Sequence, residues 1–175
     1  MSTVFIALGS NIGNREANLR MALRAMTRMA RVQAVSSLYE SEPEGDADQP
    51  PYYNAVCRIE TGLEPLSLLR FLKGLEHEIG RRPSAGRGEP RPIDLDILLF
   101  DDRVVETDDL TIPHPRLAER SFVVQPLAEI APDVEVPGTG GAAGVLASKV
   151  GEAGLKRLAG PGWDGVAGAG QQVRL

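Results

Sequence analysis

Apolar positions along the chain recur with two periods, about 2 and about 3.6 residues, and the switches between them predict the elements. Val4, Ile6 and Leu8 alternate with Phe5 and Ala7, which predicts a strand ending at Gly9-Ser10-Asn11. Asn14 is placed to cap a helix over about 15–30, where Ala22, Leu23, Met26, Met29 and Ala30 share one face. Val32 to Tyr39 reads as a second strand, and the acidic, proline-bearing stretch 40–51 as a loop. Tyr52 to Thr61 predicts a third strand. Its residues Tyr53, Ala55, Cys57 and Ile59 face a core, and Tyr52, Asn54, Val56, Arg58 and Glu60 face the other way. A helix over about 64–79 follows, with Pro65 in its first turn and a stripe of Leu68, Leu72, Leu75 and Ile79. Glu76 sits on the flank of that stripe, and Lys73 lies one turn away on the same edge.

Gly80 opens a loop, GRRPSAGRGEPRP, and IDLDILLF (93–100) is the next strand. A hairpin-like segment runs from Val104-Val105 to TIPHP (111–115), and a helix covers 121–130 despite Pro126. One short helix is expected near 143–158 in the Gly/Ala-rich remainder. The order strand, helix, strand, strand, helix, strand is the split βαβ pattern. The expectation is an α+β, ferredoxin-like βαββαβ core, an antiparallel sheet with helices packed on it. With 175 residues the chain suits one domain, expected over 1–160, with a loosely packed tail at 161–175.

Chemistry concentrates after the second helix. Asp94 and Asp96, at i and i+2 on a strand, project from one face about 7 Å apart, while Ile93, Leu95, Ile97 and Leu99 pack on the other. Such a pair suits Mg²⁺, which keeps waters and shares its shell with phosphates; the plain alternative is a solvated strand face. Arg81, Arg82, Arg87 and Arg91 lie within eleven residues just before it. A basic, glycine-rich loop leading to paired carboxylates points to phosphoryl chemistry. His114, between Pro113 and Pro115 with Arg116 and Arg120 behind it, is a candidate phosphate or proton contact. Tyr52 and Asn54 offer an aromatic plane beside an amide, suited to a flat heterocycle.

Charge and composition exclude other classes. The formal net charge is −5 and aromatics are 5%, which argues against a general nucleic-acid surface. No apolar run approaches a membrane span, and no signal peptide is read at the N-terminus. The single cysteine, Cys57, rules out an internal disulfide and zinc clusters, and makes a reducing cytoplasm the expected compartment. There is no P-loop and no G-x-S-x-G, and GTGGAA (138–143) lacks the βαβ context of a dinucleotide fingerprint.

Taken together, ALGSNIG (7–13), SLYESEP (37–43), YYNAV (52–56), EPRPIDLDILLF (89–100), LTIPHPRLAERSF (110–122) and PLAEIAPD (126–133) resemble the 6-hydroxymethyl-7,8-dihydropterin pyrophosphokinase family of folate biosynthesis. The resemblance implies a ferredoxin-like fold. It implies transfer of pyrophosphate from ATP to the hydroxymethyl oxygen of the reduced pterin, with release of AMP. By the same resemblance, Asp94 and Asp96 hold two Mg²⁺ ions, and Arg81 and Arg91 belong to a mobile catalytic loop whose closure excludes water. Tyr52 and Phe122 match rings that sandwich the pterin, Asn54 its amide partner, and Ser41 lies in the pterin loop. Leu69, Lys73, Glu76, Ile97, Thr111, His114 and Arg120 fall on ATP contacts, Ile97 through its backbone. The family's usual form is a monomer, so the expected partners are ATP and a reduced pterin alcohol, with no nucleic acid and no membrane.

Three departures stand out. The family often carries a Trp or another large residue near Gly88, Asp109 replaces a frequent arginine, and the loop 40–48 holds five acids. They leave open a catalytically weak domain that binds nucleotide or pterin without turnover. A nucleic-acid-binding ferredoxin-like domain is a further rival, disfavoured by charge.

Overall fold

The computed structural model describes residues 1–43, 48–80 and 92–167. Its elements are β1 (Ser2–Ser10), α1 (Arg15–Met26), β2 (Arg31–Val35), β3 (Leu38–Ser41), β4 (Tyr52–Thr61), α2 (Pro65–Glu78), β5 (Asp94–Phe100), β6 (Val105–Glu106) and β7 (Thr111–Ile112). A single 3₁₀ turn at Leu117–Glu119 leads into α3 (Ser121–Ile130), followed by β8 (Glu135–Val136), β9 (Gly141–Ala142), α4 (Ala143–Val150) and β10 (Leu155–Ala159). The main sheet runs β10-β3-β4-β1-β5, with β2 also paired to β4, and all its pairings are antiparallel. Strands β2/β3, β4, β1 and β5 reproduce the expected ferredoxin-like order around helices α1 and α2.

Local chemistry sets the ends of these elements. The Asn14 side chain accepts from Ala17 N and caps α1, as its position predicts. Helix α1 stops at Met26, short of the expected 30. Pro65 starts α2, and Gly80, at φ +108, provides the backbone region in which a helix ends at little cost. Pro126 forgoes one helical bond to the Phe122 carbonyl, yet α3 persists because Val123, Val124, Pro126 and Leu127 are all buried.

Two cores lie on opposite faces of the sheet. Val4, Ile6, Leu8, Ala55, Cys57 and Ile59 pack against Leu19, Leu23 and Met26 of α1 and Leu68, Leu72 and Leu75 of α2. Phe5, Val56, Leu98 and Leu99 pack against Val123 and Leu127 of α3 and Ala143 and Leu146 of α4. The face opposite α1 and α2 is thus covered in part by the chain's own later helices. The rest of that face is open around Gly9, Tyr52 and Asn54. Cys57 is fully buried, and burial pushes its thiol pKa up to about 12, so it is inert.

Four expectations need correction. The segment 32–39 is not one strand. Ser36 breaks it, exchanging backbone and side-chain bonds with Val56 (Ser36 N to Val56 O 2.8 Å, Val56 N to Ser36 Oγ 2.9 Å). In β5 the register against β1 shifts by one at Leu98, so Leu99 joins the α3/α4 core and Phe100 the α1/α2 core. Helix α4 ends at Val150, where Gly151 stands at φ +76, and 155–159 adds a strand to the sheet edge that the composition hid. The loose tail expected from 161 does not describe 161–167. Trp163 is buried in the main core and donates from Nε1 to Ser36 O at 2.7 Å, and Asp164 accepts from Val166 N and Ala167 N at 2.7 Å.

Candidate active site

One row of residues across the sheet organises the site. Gly9 of β1 is paired with Asn54 of β4 on one side and with Asp94 of β5 on the other. Side chains in register on neighbouring strands share a face, so Asn54 and Asp94 rise on either side of a position that has no side chain. The strand spacing makes this gap about 10 Å across. One step along, Ala7 lies between Val56 and Asp96 in the same manner. Small residues of β1 therefore form a flat floor with an amide at one edge and two carboxylates at the other. A Cβ on Gly9 would sit 3.4 Å from Tyr52 Cδ1 and 3.6 Å from Asn54 Oδ1, directly in that gap.

The floor belongs to a cleft of about 880 Å³. Its lining includes Ser41, Tyr52, Asn54, Phe122, Leu69, Lys73, Glu76, Asp94, Asp96, Ile97, Thr111, His114 and Arg120, so every described candidate from the sequence meets in one place. Arg81 and Arg91 lie outside the described residues. Sequence reasoning did not single out Gly9, Gln49 or Asp108, which also line the cleft. Gly9 had a signal, a glycine closing an apolar strand; Gln49 and Asp108 sit in polar loops with none.

Hydrogen bonds fix the orientation of several groups. Asn54 Nδ2 donates to Ser41 Oγ at 2.7 Å and, more weakly, to Tyr52 O at 3.4 Å. This amide assignment turns Oδ1, an acceptor, towards the gap over Gly9. Asn54 and Ser41 are both buried, so the pair is rigid. Phe122 opens α3, and the Arg120 guanidinium lies 5.5 Å from its ring centroid.

On the opposite side, buried Glu76 accepts from Leu95 N at 3.2 Å and ties α2 to the outer edge of β5. Ile97, two residues on, directs its backbone to the same edge. The shift at Leu98 exposes its carbonyl to His114 N at 3.0 Å, and this bond sets the 113–120 segment over the cleft. The His114 pKa is lowered from its ordinary value by burial and by Arg120 and Arg116, with Asp96 opposing. The ring is therefore neutral at pH 7. Its Nδ1 accepts from Arg116 N at 3.2 Å, which leaves the proton on Nε2.

Carboxylates from Asp94, Asp96, Asp108, Asp109, Glu42 and Glu76 outnumber Lys73, Arg116 and Arg120 among the described lining residues. A polyanion is repelled by such a lining unless further cations join it. No group of three or more potential metal ligands occurs among the described residues. Asp94 and Asp96 remain a pair of hard oxygen donors on one face, which fits Mg²⁺ completed by water and phosphate oxygens. No helix among the described residues is long and apolar enough to cross a membrane.

The chain is similar to known proteins of one family. Residues 5–132 match the model of a family described as 7,8-dihydro-6-hydroxymethylpterin-pyrophosphokinase. The chain is 47% identical over 137 residues to the 2-amino-4-hydroxy-6-hydroxymethyldihydropteridine pyrophosphokinase of Bacillus subtilis, covering 77% of this chain and 81% of that one. It is 45% identical over 139 residues to the Haemophilus influenzae protein of the same name, covering 78% and 86%. A folic acid synthesis protein of Pneumocystis carinii is 45% identical over 141 residues, but this chain spans only 18% of its length. Among solved structures, the wild-type Plasmodium falciparum HPPK-DHPS with SDX-DHP superposes with a TM-score of 0.71 at 17% identity, over 90% of this chain and 47% of that one. At that identity the likeness supports the fold.

Proposed function

Because the chain belongs to the 7,8-dihydro-6-hydroxymethylpterin-pyrophosphokinase family, we propose that it transfers pyrophosphate from ATP to the hydroxymethyl group of the reduced pterin and releases AMP. The observation that carries this reading is the row Asn54, Gly9, Asp94. It offers an open floor for a flat ring, an amide at one rim, and the carboxylate pair where the hydroxymethyl arm would end. Asn54 Oδ1 accepts from a ring N–H, with Ser41 holding the amide from behind. Tyr52 and Phe122 stack on the ring, supplying apolar contact without a charge requirement.

ATP takes the α2 side. Leu69 gives the base apolar contact and the edge backbone of Ile97 gives it hydrogen bonds. Lys73, Thr111, His114 through Nε2–H and Arg120 donate to the nucleotide, and Glu76 holds β5 in place beside it. Asp94 and Asp96 would hold Mg²⁺, as two ions. When bound, the metal neutralises the phosphate charge that the acidic lining would otherwise repel. We further infer that the protein works as a cytoplasmic monomer; its one cysteine is buried and reduced.

Two variants test this assignment. Gly9→Val fills the floor between Asn54 and Asp94. It is expected to raise the pterin Kd at least about tenfold, about 1.4 kcal/mol, with ATP affinity within twofold. Titration of pterin fluorescence reads this directly, and unchanged pterin affinity would move the heterocycle off this floor. Arg91→Ala is expected to lower kcat at least about 10²-fold while KM for ATP moves only a few-fold, since a transition-state contact acts mainly on kcat. A change confined to KM would mean ground-state binding only.

A further inference from the structure

A second polar cluster lies behind the pterin side of the cleft and belongs to no element of the chemistry above. Glu129 of α3 accepts from Ser37 N at 2.6 Å through Oε1 and from Ser37 Oγ at 2.5 Å through Oε2. Arg157 of β10 donates from Nε to Ser37 Oγ at 2.8 Å, from Nη2 to the same oxygen, and from Nη2 to Glu129 Oε2 at 2.9 Å. Three elements distant in sequence thus meet on one serine at the break between β2 and β3. Arg157 also faces Tyr39 across the β10–β3 ladder, and Tyr39 is paired with Asn54. Arg157 lies beyond the residues matched by the family model.

The position of this cluster matters more than its strength, because an ion pair this near to water contributes modestly to stability. Ser37 stands four residues before Ser41, the partner of the Asn54 amide. Glu129 stands about two helical turns after Phe122. The cluster therefore joins the strand that carries one wall of the pterin side to the helix that carries the other. Lys73 and Thr111 are carried by α2 and β7, which the cluster does not touch.

We propose that Glu129 and Arg157, joined through Ser37, are positioning residues that set the spacing between Phe122 and the Ser41–Asn54 pair, and so govern pterin affinity without contacting the substrate. The proposal rests on the reading of that side as the pterin site. If the clamp is cut, α3 and β3 drift apart by a fraction of an ångström to an ångström, and stacking and the amide bond can no longer be optimal together.

The test is steady-state kinetics of the full chain with pterin and ATP varied in turn, beside thermal melts, for Arg157→Ala, Glu129→Gln and Arg157→Lys. Arg157→Ala and Glu129→Gln are expected to raise KM for pterin about five- to tenfold, with KM for ATP within twofold. Arg157→Lys, which keeps a bond to Glu129, restores pterin KM to within about twofold of wild type. Glu129→Gln preserves side-chain shape and serves if Arg157→Ala does not fold. Unchanged pterin KM in both cutting variants, or equal rises in both KM values, overturns the positioning role while the wild-type activity stands. A wild-type protein that shows no saturable pterin dependence overturns the pterin reading itself, and the proposal with it.

Discussion

Asp96→Ala is expected to lower Mg²⁺-dependent turnover by about 10³-fold or more while pterin binding stays within threefold of wild type. Asp96 is exposed at the cleft, so its removal leaves no buried cavity, and stability should change by about 0.5 kcal/mol at most. It shares a cross-strand row with Ala7 and Val56, one step from the Asn54, Gly9, Asp94 row, so the proposed pterin floor survives the change. Nor does His114 gain a charge. Asp96 raises the His114 pKa, so removing it lowers that pKa further and the ring stays neutral at pH 7. Loss of turnover then reports the carboxylate alone. Pterin titrations and single-turnover rates at saturating Mg²⁺ separate the outcomes. Equal loss of pterin binding and turnover would mean that Asp96 shapes the pocket and does not serve the phosphates.

Trp163→Ala should destabilise the protein by about 3–5 kcal/mol, the usual cost of truncating a buried aromatic. For a chain of this size that corresponds to a fall in Tm of about 6–20 °C. Trp163 is 8% exposed, packs into the α1/α2 core, and donates from Nε1 to the Ser36 carbonyl at 2.7 Å. Trp163→Phe keeps most of the apolar contact and loses the hydrogen bond, so about 1–2 kcal/mol is expected. Circular dichroism melts decide the matter. A Tm shift under about 2 °C for Trp163→Ala would show that the segment after β10 does not dock on the core in solution.

These two residues mark where the sequence was and was not readable. Asp96 stood in an alternating strand, and period-two patterning gave its face directly. The same pattern misled three residues later, because the register shift at Leu98 moves Leu99 to the other core. Alternation carries no trace of such a bulge, whose freed Leu98 carbonyl finds its partner, His114 N, only in the folded chain. Ser36 broke an apparently continuous strand for a similar reason. Its fully buried side chain replaces a ladder bond at Val56, and only the partner strand shows that. Trp163 lies among glycines and a proline, which read as a loose tail, yet one large ring bound to one carbonyl docks 161–167. The cleft was more legible than the fold's edges. Its candidates lay in dense local motifs, and the described ones share one cavity. Gly9 is the clearest omission. A glycine ending a strand looks like a stop signal until the pairing shows what its missing side chain leaves open.

Pyrophosphoryl transfer at this cleft is decided by which product the nucleotide yields. The protein is incubated with ATP, Mg²⁺ and 6-hydroxymethyl-7,8-dihydropterin, and AMP and ADP are quantified by chromatography with and without the pterin. Pyrophosphoryl transfer predicts AMP formed one-for-one with pterin consumed, and none when EDTA removes the metal. ADP as the pterin-dependent product, or no product from a protein that binds both substrates, would contradict it.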